Sequence, residues 1–226
     1  MNGCFVTGTD TGVGKTVVAA AIVAALAARG LRVAPVKPVV TGLDEPEPGR
    51  PLDHELLAAA AGIDDASAVT PLTFGPAVSP HLAAALAGVT VEPAALVAAA
   101  RGAAEGADVV VGEGAGGLLA PLTGGYLIRD FALDLGLPVV IAARPGLGTI
   151  NHTLLTVESA RAAGLRVLGV VLTPWPDAPD VMQQSNRDTI AALGDVDVAT
   201  LPQVGVGIAE LAAAGASLPL ASWLAL

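Results

Sequence analysis

Apolar positions in this chain fall into short unbroken runs separated by longer alanine-rich stretches. Residues 3–7 make one run of strand length, and 15–29 make an Ala/Val/Leu stretch closed by Gly30, the residue expected just past a helix's last turn. Residues 32–37 read as a second strand. Strand, glycine-containing loop, helix and strand in that order predict a βαβ unit, hence a parallel sheet. Residues 38–52 are rich in proline and acids and predict a long loop rather than an element. Beyond it, 53–61 reads as helix, and Ser79-Pro80 as an N-cap followed by proline at the first helical position. A helix over 93–105 leads to 108–113, a buried-type strand ending in the acid Glu113. Two more buried strands, 138–142 and 167–172, each follow helix-like sequence. A last strand over 198–201 precedes an Ala/Leu-rich terminal helix. The alternation predicts one doubly wound α/β domain over 1–226, with a mainly parallel sheet flanked by helices. No internal repeat or separating linker is visible.

Composition narrows the function. The 226 residues are 53% hydrophobic, yet no stretch approaches the ~20 unbroken apolar residues of a bilayer span. The N-terminus runs straight into a strand without an export signal, which predicts a cytoplasmic protein. A net charge of −10 lacks the clustered basic face that nucleic acid requires. Cys4 sits in an apolar run and reads as a small core residue. An anionic ligand must therefore be held by local positive charge, helix N-termini and metal.

Only two lysines occur, against nine arginines. Lys15 lies in Gly8-Thr-Asp-Thr-Gly-Val-Gly-Lys15-Thr16, a phosphate-binding loop between predicted strand and helix. Five residues separate Gly8 from Gly14, one more than the strict pattern, so Thr9 stands where the first glycine belongs. The loop predicts nucleotide contacts at Gly12, Val13, Gly14, Lys15, Thr16 and Val17, with Lys15 on the β and γ phosphates and the Thr16 hydroxyl on magnesium. Asp53 and Glu113 are candidate partners for that metal, although such an acid taken alone is more often a solvated charge or a cap. Lys37 closes the second strand at the sheet edge where Lys15 emerges, so the pair predicts an anion site. Gly112-Glu-Gly114-Ala-Gly-Gly117 also fits a dinucleotide fingerprint, but Pro121 follows where that motif needs a helix. His81 and His152 read as locally packed, and Trp175 as a loop anchor between prolines.

Together these segments resemble the dethiobiotin synthetases, a family of the P-loop superfamily. The lengthened phosphate loop, Val36-Lys37-Pro38-Val39-Val40-Thr41-Gly42, Glu113-Gly-Ala-Gly-Gly117 and Gly148-Thr-Ile-Asn151-His152 are similar to that family's four ordered motifs. The resemblance implies an ATP-dependent ligase of biotin biosynthesis that carboxylates 7,8-diaminononanoate with carbon dioxide and closes a ureido ring. It further implies that Lys37 holds the carbamate and the transferring phosphoryl group, Lys15 and Thr11 act beside it, and Thr16, Asp53 and Glu113 hold magnesium. Asp53, Glu113, Gly114, Ala115 and Gly116 would touch nucleotide. Thr41 would touch the substrate, and Gly148, Thr149, Ile150 and Asn151 of a neighbouring subunit would meet its carboxylate, which implies a homodimer.

The chain departs from the family at one place. Thr173-Pro174 stands where better-known members carry an asparagine able to read adenine, and a threonine hydroxyl cannot make two opposed amide hydrogen bonds. The expectation is ATP use with poor base discrimination, so that CTP or another triphosphate binds as well. Two other readings compete. Partitioning-type switch ATPases share the architecture but carry a lysine where this chain has Asp10. Corrin-amidating synthases need a glutaminase domain with a nucleophilic cysteine, for which this chain has no place.

Overall fold

In a computed structural model, which describes residues 1–46 and 48–225, the chain opens with strand β1 (Gly3–Gly8), helix α1 (Lys15–Ala27) and strand β2 (Val33–Val36). Every residue of both strands is buried, as expected of strands covered on both faces. Residues 38–52 form no helix or strand among the described residues, and Glu47 within them lies outside the description. Helix α2 (Asp53–Ala61) follows; Glu55 reaches back to accept the Leu52 amide, and Gly62 ends it at φ 70°. A short 3-10 turn (Ala66–Val69) leads to α3 (Pro80–Leu86) and α4 (Pro93–Ala103), each begun by its proline.

Strand β3 (Val109–Glu113) is followed by a small hairpin, β4 (Pro121–Thr123) and β5 (Tyr126–Leu127). The chain then alternates through α5 (Ile128–Leu135), β6 (Val139–Ala143), α6 (Thr149–Ala162), β7 (Val167–Trp175), α7 (Val181–Gly194) and β8 (Val198–Pro202). It closes with α8 (Ile208–Ala216) and α9 (Leu220–Leu224). The main sheet is parallel throughout in the order β2-β3-β1-β6-β7-β8. Strand order reverses around β1, so the crevice for a ligand opens at the carboxyl ends of the strands beside it. Alternate residues of β1 feed two cores. Cys4 and Val6 pack with α1, α2, α8 and α9, whereas Phe5 packs with α4, α5, α6 and α7.

Several expectations need correction. The single terminal helix is two, because Pro219 follows α8 and cannot continue it. Strand β7 runs on through Thr173 and Pro174 to Trp175, which pairs with Pro202. Ser79 stands at the N-cap of α3, but its hydroxyl meets His81 Nδ1 at 3.0 Å instead of capping, and His81 is exposed. His152 is likewise exposed rather than packed. The glycine-rich turn after β3 leads into the β4–β5 hairpin, which removes the dinucleotide reading.

Candidate active site

The loop from β1 to α1 curls around the first turn of α1. Gly12 and Gly14 both take positive φ, 70° and 89°. At Gly14 a side chain is excluded twice, since a Cβ there would lie 2.7 Å from Thr173 Cγ2. Asp10 braces the loop: its carboxylate accepts the Thr11 amide at 2.7 Å and lies 3.6 Å from Arg144 Nη2, while its carbonyl accepts Lys15 Nζ at 2.8 Å.

Thr16, in the first turn of α1, carries the link to the acids. Its Oγ1 lies 2.8 Å from Asp53 Oδ1 and 2.9 Å from Glu113 Oε1. Lys37 Nζ lies 2.7 Å from the same Glu113 Oε1, 2.8 Å from Asp53 Oδ2 and 3.4 Å from the Gly114 carbonyl. The sheet makes this meeting: Val36 pairs with Gly112 across β2 and β3, so the next residues, Lys37 and Glu113, leave the sheet side by side. Asp53 arrives separately, as the first residue of α2. Glu113 is 0% exposed and Lys37 2%, so the pair is fully desolvated.

Burial and charge act on these groups in opposite senses. Burial pushes the Lys15 ammonium below the usual lysine range, with Glu113 opposing in part. Burial also disfavours charge on Lys37, but Glu113 and Asp53 together outweigh it and hold Lys37 above its ordinary value. For Asp53 burial is likewise overcome, by Lys37 and Thr16, and its carboxyl sits below the usual range. Burial prevails at Glu113 and raises it. Two ammonium and two carboxylate groups thus form a nearly balanced cluster, buried except at Asp53, whose side chain is 44% exposed.

A crevice of about 950 Å³ opens over the cluster. Thr11, Gly12, Gly14, Lys15, Thr16 and Val17 line it, as do Lys37, Thr41, Asp53, Gly114, Ala115 and Gly116. Val13 is buried beneath the loop, and Glu113 lies behind the wall, joined to the crevice through Thr16 and Lys37. Sequence reasoning missed Arg50, Gln203 and Val204, which also line the crevice with Thr173, Pro174 and Pro202. Arg50 carried a signal, being the sole cation in an acidic loop; Gln203 and Val204 carried none. Gly148, Thr149, Ile150 and Asn151 do not join this lining. They open α6 elsewhere, with Thr149 buried against Thr153 and its amide donated to the Gly146 carbonyl at 3.2 Å.

Asp53 Oδ1 and Glu113 Oε1 are hard oxygen ligands, each within hydrogen-bond distance of a third, Thr16 Oγ1. Glu113 Oε2 is buried without a hydrogen-bond partner among the described residues. No cluster of three His, Cys, Asp or Glu side chains suited to a metal occurs among those residues. A hydroxyl with two carboxylates nonetheless fits magnesium, which takes few protein ligands and completes its shell with phosphate and water.

A parallel sheet with a strand reversal at β1, a glycine loop opening α1 and an ammonium, hydroxyl and carboxylate set at its end define a P-loop nucleotide-binding protein. A family model described as an AAA domain matches residues 2–205. Among solved structures, a ParA family ATPase from Chlorobium tepidum superposes with a TM-score of 0.53 at 15% identity, covering 96% of this chain and 91% of its own. Chloroplast FtsY from Physcomitrella patens gives 0.54 at 16% identity, covering 95% and 65%. These show the fold.

The sequence relatives are closer. An ATP-dependent dethiobiotin synthetase of Anaeromyxobacter dehalogenans is 47% identical over 85% of this chain and 86% of its own length. That of Rhodococcus jostii is 40% identical over 96% and 92%, and that of Bacillus subtilis 35% over 88% and 85%. The chain belongs to the dethiobiotin synthetase family.

Proposed function

We propose that the protein is an ATP-dependent dethiobiotin synthetase, a cyclo-ligase forming carbon–nitrogen bonds. One amine of 7,8-diaminononanoate adds carbon dioxide and becomes a carbamate. A carbamate oxygen attacks the γ-phosphorus of the triphosphate and expels the nucleoside diphosphate. The second amine then attacks the carbamic-phosphoric anhydride, closes the ureido ring and releases phosphate. Every intermediate is anionic, so local positive charge from Lys15 and Lys37 that positions the reactants supplies the catalysis, without a covalent protein nucleophile.

Lys37 is assigned to the carbamate and transferring phosphoryl group, Lys15 to the β and γ phosphates, and Thr11 to a hydrogen bond near the same oxygens. Thr16, Asp53 and Glu113 would hold magnesium, which when bound neutralises phosphate charge. The phosphate loop, with Gly114, Ala115 and Gly116 opposite, encloses the triphosphate, and Thr41 contacts the diamine. The single observation that carries this reading is that Lys37 and Thr16 meet on Asp53 and Glu113 in the wall of the crevice that Lys15, the only other lysine of the chain, also lines.

Two finer points belong to the same proposal. Thr173 packs its methyl group toward Gly14 and offers no amide, so base selectivity is weak and CTP serves beside ATP. The start of α6 lies outside the crevice of its own chain, and Leu147 beside it is 92% exposed. A homodimer in which this turn meets the partner's substrate accounts for both. No helix among the described residues is long and apolar enough to cross a membrane, in keeping with a cytoplasmic enzyme. The alternative, a partitioning-type nucleotide switch, is disfavoured by the acidic Asp10 in the loop.

Phosphate release from ATP and from CTP, with magnesium and bicarbonate, with and without 7,8-diaminononanoate, tests the reading. Release that requires the diamine is expected; release without it, or none with it, overturns the ligase. A strong preference for ATP alone would remove the weak-discrimination proposal only.

A further inference from the structure

Glu113 Oε1 has two claimants. Thr16 Oγ1 lies 2.9 Å away and Lys37 Nζ 2.7 Å away, while Asp53 offers one oxygen to each of the same two groups, at 2.8 Å in both cases. A divalent ion coordinated by Thr16, Asp53 and Glu113 together would sit on the same two carboxylates that Lys37 holds through Glu113 Oε1 and Asp53 Oδ2, even where it took Asp53 Oδ1 or the unpartnered Glu113 Oε2. Both groups are cations, and at 0% and 2% exposure Glu113 and Lys37 lie where solvent screens the repulsion little, although the Asp53 side chain is 44% exposed.

We infer that Lys37 and the metal exclude one another at Glu113 and Asp53, so that arrival of the metal nucleotide releases Lys37 into the crevice. This rests on the nucleotide and metal reading proposed above, and it adds an order to it. Lys15 and Lys37 balance Asp53 and Glu113, so a bare divalent ion would leave a buried excess of two positive charges. A metal triphosphate brings its own negative charge, takes the carboxylates and frees the Lys37 ammonium for the phosphoryl and carbamate oxygens. The lysine is thereby withheld from the second substrate until the first is in place. Binding of metal nucleotide and of the carbamate is then positively coupled, and by linkage the coupling is the same in both directions.

The chain suits a direct test, because it has two lysines and so two lysine side-chain resonances. Full-length wild-type protein carrying 13C at lysine Cε is examined by NMR, with the Lys15→Gln variant fixing the assignment. A non-hydrolysable β,γ-methylene ATP analogue is added with EDTA, then with magnesium, and magnesium is also added alone. The expected result is a shift of the Lys37 resonance only when analogue and magnesium are both present, while Lys15 responds to the analogue in either case. A Lys37 resonance that stays fixed when the metal analogue moves Lys15, or that moves fully without metal, overturns the inference.

A second measurement uses Mn2+ as the probe, read by electron paramagnetic resonance without nucleotide. Lys37→Met should bind Mn2+ at least ~10-fold more tightly than wild type, the scale expected when a like charge a few ångströms away is removed. Unchanged or weaker binding overturns the inference. Should that variant fail to fold, the wild-type NMR experiment stands alone. Neither measurement uses the diamine, so failure of the exchange is distinguishable from failure of the ligase assignment, which the diamine dependence of phosphate release decides.

Discussion

At the scale of single residues, Gly14 shows how closely the phosphate loop is built. Its φ of 89° costs a side-chain-bearing residue about 1–2 kcal/mol, and a methyl group there would also meet Thr173 Cγ2 at 2.7 Å. Gly14→Ala should weaken nucleotide binding about 10-fold or more by titration calorimetry. Adding Thr173→Gly removes the clash but not the dihedral cost, so only part of the loss should return. Lys15 gives a pH prediction. Burial puts its folded pKa below 10.5, so the ammonium is lost earlier than in the unfolded chain. A lysine lowered in this way costs stability while charged, and that cost fades as pH rises through the lowered value. Nucleotide capture follows the charge itself: kcat/KM for ATP should fall on the alkaline side with a midpoint below 10.5, before Lys37, held above its usual value, discharges. Cys4 is the inert counterpart. Burial pushes its thiol up to about 12, so iodoacetamide should leave native protein unlabelled at pH 8 and label it in denaturant.

At the scale of elements, α1 is the axle of the fold. Each of its side chains from Val18 to Leu26 is buried, with α2 and α8 packed along it. Gly215 permits the α8 contact, because a Cβ there would strike the Ala21 carbonyl oxygen and come within 2.9 Å of Ala25 Cβ. Gly215→Ala should lower the unfolding free energy by about 1–3 kcal/mol in a denaturant titration, as overpacking does. Most regular elements were legible for a simple reason: strands buried on both faces read as continuous apolar runs, and Gly30, Gly62, Pro80 and Pro93 punctuate the helices between them; α7 (Val181–Gly194), more polar along its length, was not legible. The β4–β5 hairpin was not, since strands of three and two residues leave no period to find. The site was legible where chemistry is rare, at the two lysines and the glycine loop. The Lys37–Glu113 pair was hidden because it depends on β2 lying beside β3, an adjacency between segments far apart in sequence. The crevice wall contributed by Gln203 and Val204 was hidden likewise, through the pairing of β8 with β7.

At the scale of the molecule, the chain carries two parts of one proposed site that do not meet within it. Lys37 faces the crevice, whereas Asn151 and the α6 start lie outside it beside Leu147. In a two-fold dimer each crevice would borrow the partner's turn, so damage to the two parts should separate by subunit. By the proposed assignment, Lys37→Gln protein would lack the phosphoryl lysine in both crevices, and Asn151→Asp protein would set a negative charge against the substrate carboxylate in both. Mixed and allowed to exchange subunits, about half the dimers are hybrids, and one crevice of each hybrid is intact, so about a quarter of wild-type turnover should return. A site confined to one chain would give no recovery above the mean of the two inactive variants. Two chains of net charge −10 also repel as they associate. Dimerisation measured by sedimentation should therefore tighten as salt rises from about 0.01 to 0.15 M, where the Debye length falls from about 30 to 8 Å. If the proposed dimer holds, Leu147→Asp should leave a monomer with nucleotide affinity retained and turnover lost, because the phosphate loop would be complete in one subunit and the substrate site would not.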